Sequence, residues 1–247
     1  MKASPEAQLR LLELADVDTE LSRLDHRQRT LPEVAEYQRL AERGGQLRDE
    51  IAALEAEESD LAREQSKAEA DVEQVRARVQ RDQSRLDSGQ VSSPRELENL
   101  QSEIASLRRR QSDLEEVVLE VMERRESTQS RLAERVAGRE TVGGQLAEVG
   151  SRRDAALADI AEQAGKASAQ RAAIAADVPA DLLSLYDRLR AQHGGVGAAM
   201  LRRGRCEGCH LSLNTVDLNR IRATPPDEVV RCEECRRILV RTAESGL

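Results

Sequence analysis

Tryptophan and phenylalanine are absent from this 247-residue chain, and tyrosine occurs only twice. Aromatic rings dominate the burial in ordinary globular cores, so this inventory excludes a large conventional core. Long apolar runs are missing as well. None would serve as a signal peptide or a membrane span, and the sequence is therefore expected to be cytoplasmic. The three histidines, His26, His193 and His210, stand apart from one another. There is no phosphate loop and no nucleophile–base constellation, so an enzyme is not expected. A formal charge of -8 opposes general affinity for nucleic acid but leaves a local basic patch open.

What is present is Ala, Leu, Glu, Arg and Gln, with 34% of residues charged. That composition points to long helices packed through narrow seams. Ser4-Pro5-Glu6 supplies an N-cap and a first-turn proline. Leu14, Val17, Leu21, Leu24 and Leu31 then follow at spacings of three and four. Pro32 interrupts, and Thr30-Leu31-Pro32-Glu33 reads as a capping box with a kink or short break. A strict heptad resumes at Leu40, Leu47, Leu54, Leu61, Ala68 and Val75, with Ile51, Val72, Val79 and Leu86 as companions. A seven-residue repeat predicts left-handed supercoiling.

Residues 87–93 stop the pattern, and Ser93-Pro94-Arg95-Glu96 forms a second capping box. The return series runs from Leu97 through Leu100, Ile104, Leu114, Val121, Val149 and Ile160 to Ile174. Segments of about 6–86 and 94–177 have nearly equal lengths of roughly 120 Å each. Equal arms joined by a short turn favour an antiparallel hairpin, in which residues with a near-constant sum of numbers lie opposite. Glu58 and Arg125, polar members of the two seams, are predicted to pair. Gly44-Gly45 and Gly143-Gly144 fall at similar heights and predict a bend in mid-stalk, because glycine weakens a helix. Leu9, Leu12 and Leu119 lie outside the seam and leave homo-oligomerisation open.

Val178-Pro179 ends the return helix. A short amphipathic helix follows at 181–190, then strands near 198–201, 229–230 and 238–240, with a helical turn at 217–222. All four cysteines lie here, as Cys206-Glu-Gly-Cys209 and Cys232-Glu-Glu-Cys235. Two such turns direct four thiolates at one ion and close its coordination sphere, which suits one structural zinc; iron fits the same geometry. The expected class is mainly α: a long antiparallel coiled-coil hairpin over 1–178, and a short helix plus a small C4 zinc ribbon over 179–247.

The chain resembles a bacterial family of coiled-coil proteins with a C-terminal C4-type zinc ribbon. The resemblance rests on Ser-Pro-Arg-Glu-Leu-Glu-Asn-Leu-Gln-Ser-Glu-Ile (93–104), on Cys206-Glu-Gly-Cys209-His, and on Asp227 through Cys235 followed by Arg-Ile-Leu (237–239). It implies a hairpin with the ribbon at its open end, and Cys206, Cys209, Cys232 and Cys235 as ligands. Some members of the family engage alternative sigma factors, export machinery or RNA, so the resemblance implies an adaptor type of role without naming the partner. Two positions depart from the family. Arg236 stands where glycine is common, and a left-handed backbone there would cost about 1–2 kcal/mol. Val240 stands where an aromatic is frequent.

Three functions follow. The first is a protein-binding adaptor, with a regulatory role linked to transcription or RNA. The exposed hairpin tip at Arg95, Glu96 and Glu98 is its candidate contact. The second is nucleic-acid binding through ribbon arginines, with Arg202, Arg203, Arg205, Arg220, Arg222 and Arg237 as candidates. The ribbon lacks aromatics for base stacking, so phosphate contact would have to carry it. The third is a spacer that uses length alone.

Overall fold

The computed structural model describes residues 1–247. The chain divides into two compact units, residues 35–150 on one hand and residues 1–34 with 151–247 on the other.

The first is a helical hairpin. The first helix of the chain, α1, spans Pro5–Arg29, and α2 spans Pro32–Asp87. Gly89 turns the chain with a positive φ of 67°, and α3 runs from Pro94 to Ala176. Within residues 35–150 the seam predicted from the heptads is filled: Leu47, Ile51, Leu54, Leu61, Ala68 and Val72 are buried on one arm. Leu100, Ile104, Leu114, Val121 and Val149 are buried on the other. Leu97, the first residue of the return series, is instead exposed. Glu58 and Arg125 meet as predicted, with Arg125 Nε donating to Glu58 Oε1 at 2.9 Å. The register holds along the arms, with Arg135 on Glu50 and Arg76 on Glu115. Both helices run without interruption through Gly44-Gly45 and Gly143-Gly144, so the paired glycines do not break either arm.

Pro32 does end a helix, though not through the expected box. The Thr30 hydroxyl donates backward to the His26 carbonyl at 2.8 Å and so closes α1 rather than opening α2. Leu31 is buried beside Leu24 and Ile160, which explains why the chain tolerates a break there.

The second unit gathers α1, the far end of α3, α4 (Ala180–Gln192), α5 (Thr215–Ala223) and a four-stranded sheet. The strands are β1 (Ala198–Arg202), β2 (Arg205–Cys206), β3 (Val230–Arg231) and β4 (Ile238–Val240), in the order β2-β1-β4-β3. β1 and β4 are parallel, and the outer pairs are antiparallel. Alternation along the strands divides the side chains between two clusters, because successive residues point to opposite faces. Ala198, Ile238 and Val240 pack on Leu11, Leu14, Leu182, Tyr186 and Leu189 of α1 and α4. Ala199, Leu201 and Leu239 pack on Cys206, Cys232 and Ile221. The ribbon is thus no free-standing module: one face of its sheet shares a core with the first and fourth helices. The N-terminal residues add an edge, with Lys2 bridged to Glu228 and Ala3 N–H donating to the Asp227 carbonyl at 2.7 Å.

Candidate metal centre

The two Cys-x-x-Cys turns are built alike. In the first, Cys206 N–H donates to the Leu211 carbonyl, and His210 N–H returns to the Cys206 carbonyl at 2.8 Å. In the second, Cys232 N–H donates to the Arg237 carbonyl, and Arg236 N–H returns to Cys232 at 2.9 Å. The residue after each second cysteine takes a positive φ, 60° at His210 and 61° at Arg236. The chain must reverse there for the turn to close. Glycine meets that demand without strain, whereas these two side chains hold it against steric cost. His210 is exposed.

The four sulfurs all lie within 4.8 Å of one another. Cys206 Sγ is 3.9 Å from Cys235 Sγ, and Cys209 Sγ is 3.9 Å from Cys232 Sγ. Zinc–sulfur bonds of 2.3 Å in a tetrahedron place the sulfurs about 3.8 Å apart, so the two pairs at 3.9 Å already have that spacing and the donor set fits a zinc ion. Without a cation the same site is electrostatically awkward. Burial pushes the Cys206 and Cys232 thiols up, and the neighbouring sulfurs push in the same direction. Burial also raises Cys235, but hydrogen bonds from the Arg237 backbone, and from the neighbouring thiols and Arg237 side chain, outweigh it, and the net shift is downward. A divalent ion resolves the conflict by stabilising all four thiolates at once.

Arg237 braces this centre. Its guanidinium donates to three backbone carbonyls, of Val196 at 3.0 Å, Gly208 at 2.9 Å and His193 at 3.0 Å. Of the candidate nucleic-acid contacts it is the one engaged wholly inside the fold. Arg202 and Arg205 are cross-strand partners flanking the Arg203-Gly204 turn. Arg202 pairs with Glu244 at 2.8 Å. Arg203 and Arg205 are exposed. On α5, Arg220 pairs with Glu233 and with Asp217, and Arg222 donates to Asn219 Oδ1 at 3.4 Å. Arg241 is a second brace, donating to the carbonyls of Thr224, Pro225 and Glu228 at 2.6–2.7 Å. Arg95, Glu96 and Glu98 are exposed near the start of α3, in the other compact unit.

Sequence reasoning missed a buried ionic cluster. Asp18 is fully buried on α1, where Tyr186 Oη donates to Oδ2 at 2.7 Å and Arg171 Nε to Oδ1 at 2.8 Å. Arg190 Nε stands 3.0 Å from Oδ1 as a further ion pair, and Arg171 also reaches Asp187. Tyr186, read as a packing residue, both packs and donates. The available signal was positional: Asp18 continues the buried row Leu11, Leu14 and Ala15 at helical spacing, a place where an unpaired acid is not tolerated.

The fold and site together define a coiled-coil hairpin carrying a C4 zinc ribbon. Comparison with known proteins places the chain further. The CT398-like coiled coil hairpin domain matches residues 14–194, and the C4-type zinc ribbon domain matches residues 205–239. The chain belongs to this bacterial family. An uncharacterized protein of Mycobacterium tuberculosis, found in two strains, is 39% identical over 241 residues, covering 98% of both chains. A solved structure from Mycobacterium smegmatis is 35% identical with a TM-score of 0.84, covering 98% of this chain and all of that one. CT398 of Chlamydia trachomatis shares the fold at 18% identity and a TM-score of 0.74, covering 96% of this chain and 98% of its own.

Proposed function

We infer that the chain is a non-enzymatic adaptor that binds protein partners, with one zinc ion as a structural fastening of its base. The observation that carries this reading is the closure of the cysteine site. Four sulfurs complete a tetrahedron, so all coordination positions come from the protein and none is left for water or substrate. The ribbon sheet is fixed on α1 and α4 by a shared core, which makes it a rigid platform rather than a mobile reader. The nucleic-acid reading is weakened by the arginines themselves. Arg237 and Arg241 are engaged by backbone carbonyls, and Arg202 and Arg220 by carboxylates. The family resemblance supports a regulatory setting linked to transcription or RNA.

The test is affinity capture from native cell extract, with and without nuclease, at low and moderate salt. A protein recovered after nuclease treatment and retained as salt rises is the expected result. Recovery of nucleic acid alone, lost steeply with salt and on replacing Arg203 and Arg205, moves the function to the ribbon. No helix of the chain is long and apolar enough to cross a membrane.

A further inference from the structure

The hairpin arms bury most of their apolar residues at the seam, but Leu97, Val117, Leu119 and Met122 of α3 stay exposed. Leu119 is 59% exposed and Met122 45% exposed, on the same flank of α3. Leu119, Val118 and the buried Val72 of α2 line a groove of about 450 Å³, and Met122 stands one turn further along α3 from Leu119. The groove also meets Glu69, Glu73, Arg76 and Glu115. Leu119 has no seam partner to explain it, since the heptad passes through Leu114, Val118 and Val121.

Charge says what the groove would accept. Glu115, Glu116, Glu123 and Glu126 stand at i−4, i−3, i+4 and i+7 from Leu119, so helical geometry sets all four on its side of α3. Glu69 and Glu73 face them from α2. The single base among these, Arg76, is held between Glu73 and Glu115 at 3.4 Å from each. Glu69, Glu73 and Glu115 therefore rim the apolar trough, Glu116, Glu123 and Glu126 extend the acidic flank by helical spacing, and the one guanidinium in the lining is already paired. Such a rim repels nucleic acid and anionic lipid surfaces, and it repels a second copy of the same acidic flank.

We propose that this groove binds an amphipathic helix of basic character, whose apolar face seats on Val118, Leu119 and Met122 and whose lysines or arginines flank that face to meet the glutamates. Helix-in-groove recognition uses anchors at i, i+3, i+4 and i+7, which the trough between two antiparallel arms lying side by side suits. The assignment rests on the adaptor reading and gives it a location and a partner chemistry.

The test titrates the full chain with a fluorescein-labelled synthetic helix of leucine and lysine, with leucines at those four spacings. The wild type binds it. Leu119→Ser with Met122→Ser weakens binding by about tenfold or more, because both anchors lose their apolar contact. Leu9→Ser, at another exposed leucine, leaves binding unchanged. A leucine–glutamate helix of the same pattern does not bind. Equal binding by the double variant, equal binding of a scrambled leucine–lysine peptide, or no binding by the wild type overturns the proposal. So does a wild-type dimer in sedimentation that the double variant converts to monomer, since a second copy then covers the face. Circular dichroism checks that the variant keeps its helices. Partner capture is read separately: a protein captured equally by wild type and double variant leaves the adaptor reading standing and removes this groove from it.

Discussion

Replacing Asp18 by alanine tests the packing of the base most severely. The carboxylate is fully buried and accepts from Tyr186 Oη at 2.7 Å and Arg171 Nε at 2.8 Å, with Arg190 Nε 3.0 Å away as an ion pair. Its removal leaves a phenol and two guanidinium groups without their shared acceptor. Breaking a buried pair by removing one partner costs about 3–5 kcal/mol. The Arg171 and Arg190 side chains keep 21% and 34% exposure, so both can regain some water. That places the expected loss near the lower end, about 3 kcal/mol. Tyr186→Phe removes one hydrogen bond to a charged group and costs about 1.5–2 kcal/mol. The two changes act on one cluster and so fall short of additivity. Urea unfolding is followed by far-UV circular dichroism, because Tyr186→Phe removes the tyrosine that fluorescence would report. A loss below about 1 kcal/mol for Asp18→Ala, or strict additivity with Tyr186→Phe, refutes the reasoning.

Other consequences are separable. Burial, the hydrogen bond to Asp18 and that carboxylate's charge all raise the Tyr186 phenol above its ordinary value. The stability it contributes is fully present below pH about 10 and is lost as pH rises beyond it, which alkaline unfolding compared with Tyr186→Phe measures. Glu58 is shifted the other way, held low by hydrogen bonds from Gln129 and Arg125. Its contribution is present above the usual carboxylate range and is lost as pH falls through it. Glu58→Gln should therefore flatten the acid limb of hairpin stability. Arg236→Gly relieves the positive φ of 61° and raises thermal stability by about 1 kcal/mol; an unchanged or lower midpoint counts against strain at that turn. Gly197→Ala places a Cβ 2.3 Å from the Tyr186 carbonyl oxygen, backbone that cannot step aside, and destabilises by about 1–3 kcal/mol in the same urea assay.

The sequence was most informative where period and spacing carry the physics. Heptads gave the arms, the turn near Gly89 and the Glu58–Arg125 pair, because register in a hairpin follows from chain length alone. Paired Cys-x-x-Cys turns gave the ligand set. What it hid was the second use of α1. Leu14 read as the start of one more seam, yet with Leu11 it carries the ribbon sheet, and nothing local marks a helix that packs on two sides. The parallel pairing of β1 with β4 joins segments forty residues apart and left no periodic trace. Arg237 looked like charge available for phosphate, and Arg241 stood in the same basic stretch. Only the fold shows their donors turned onto carbonyls, a use that no one-dimensional pattern distinguishes. Thr30 shows the limit of motif reading, since its hydroxyl serves the helix behind it rather than the one ahead.

The claim that the ribbon holds a closed, non-catalytic ion is tested most directly by replacing its metal with cobalt and recording the absorption spectrum. The account predicts the charge-transfer and ligand-field pattern of one tetrahedral ion held by four thiolates. That pattern should be unchanged by added exogenous ligands and lost when Cys206, Cys209, Cys232 or Cys235 is replaced by serine. A spectrum showing a solvent ligand, or one that shifts on adding azide or cyanide, contradicts closure and reopens the site to chemistry.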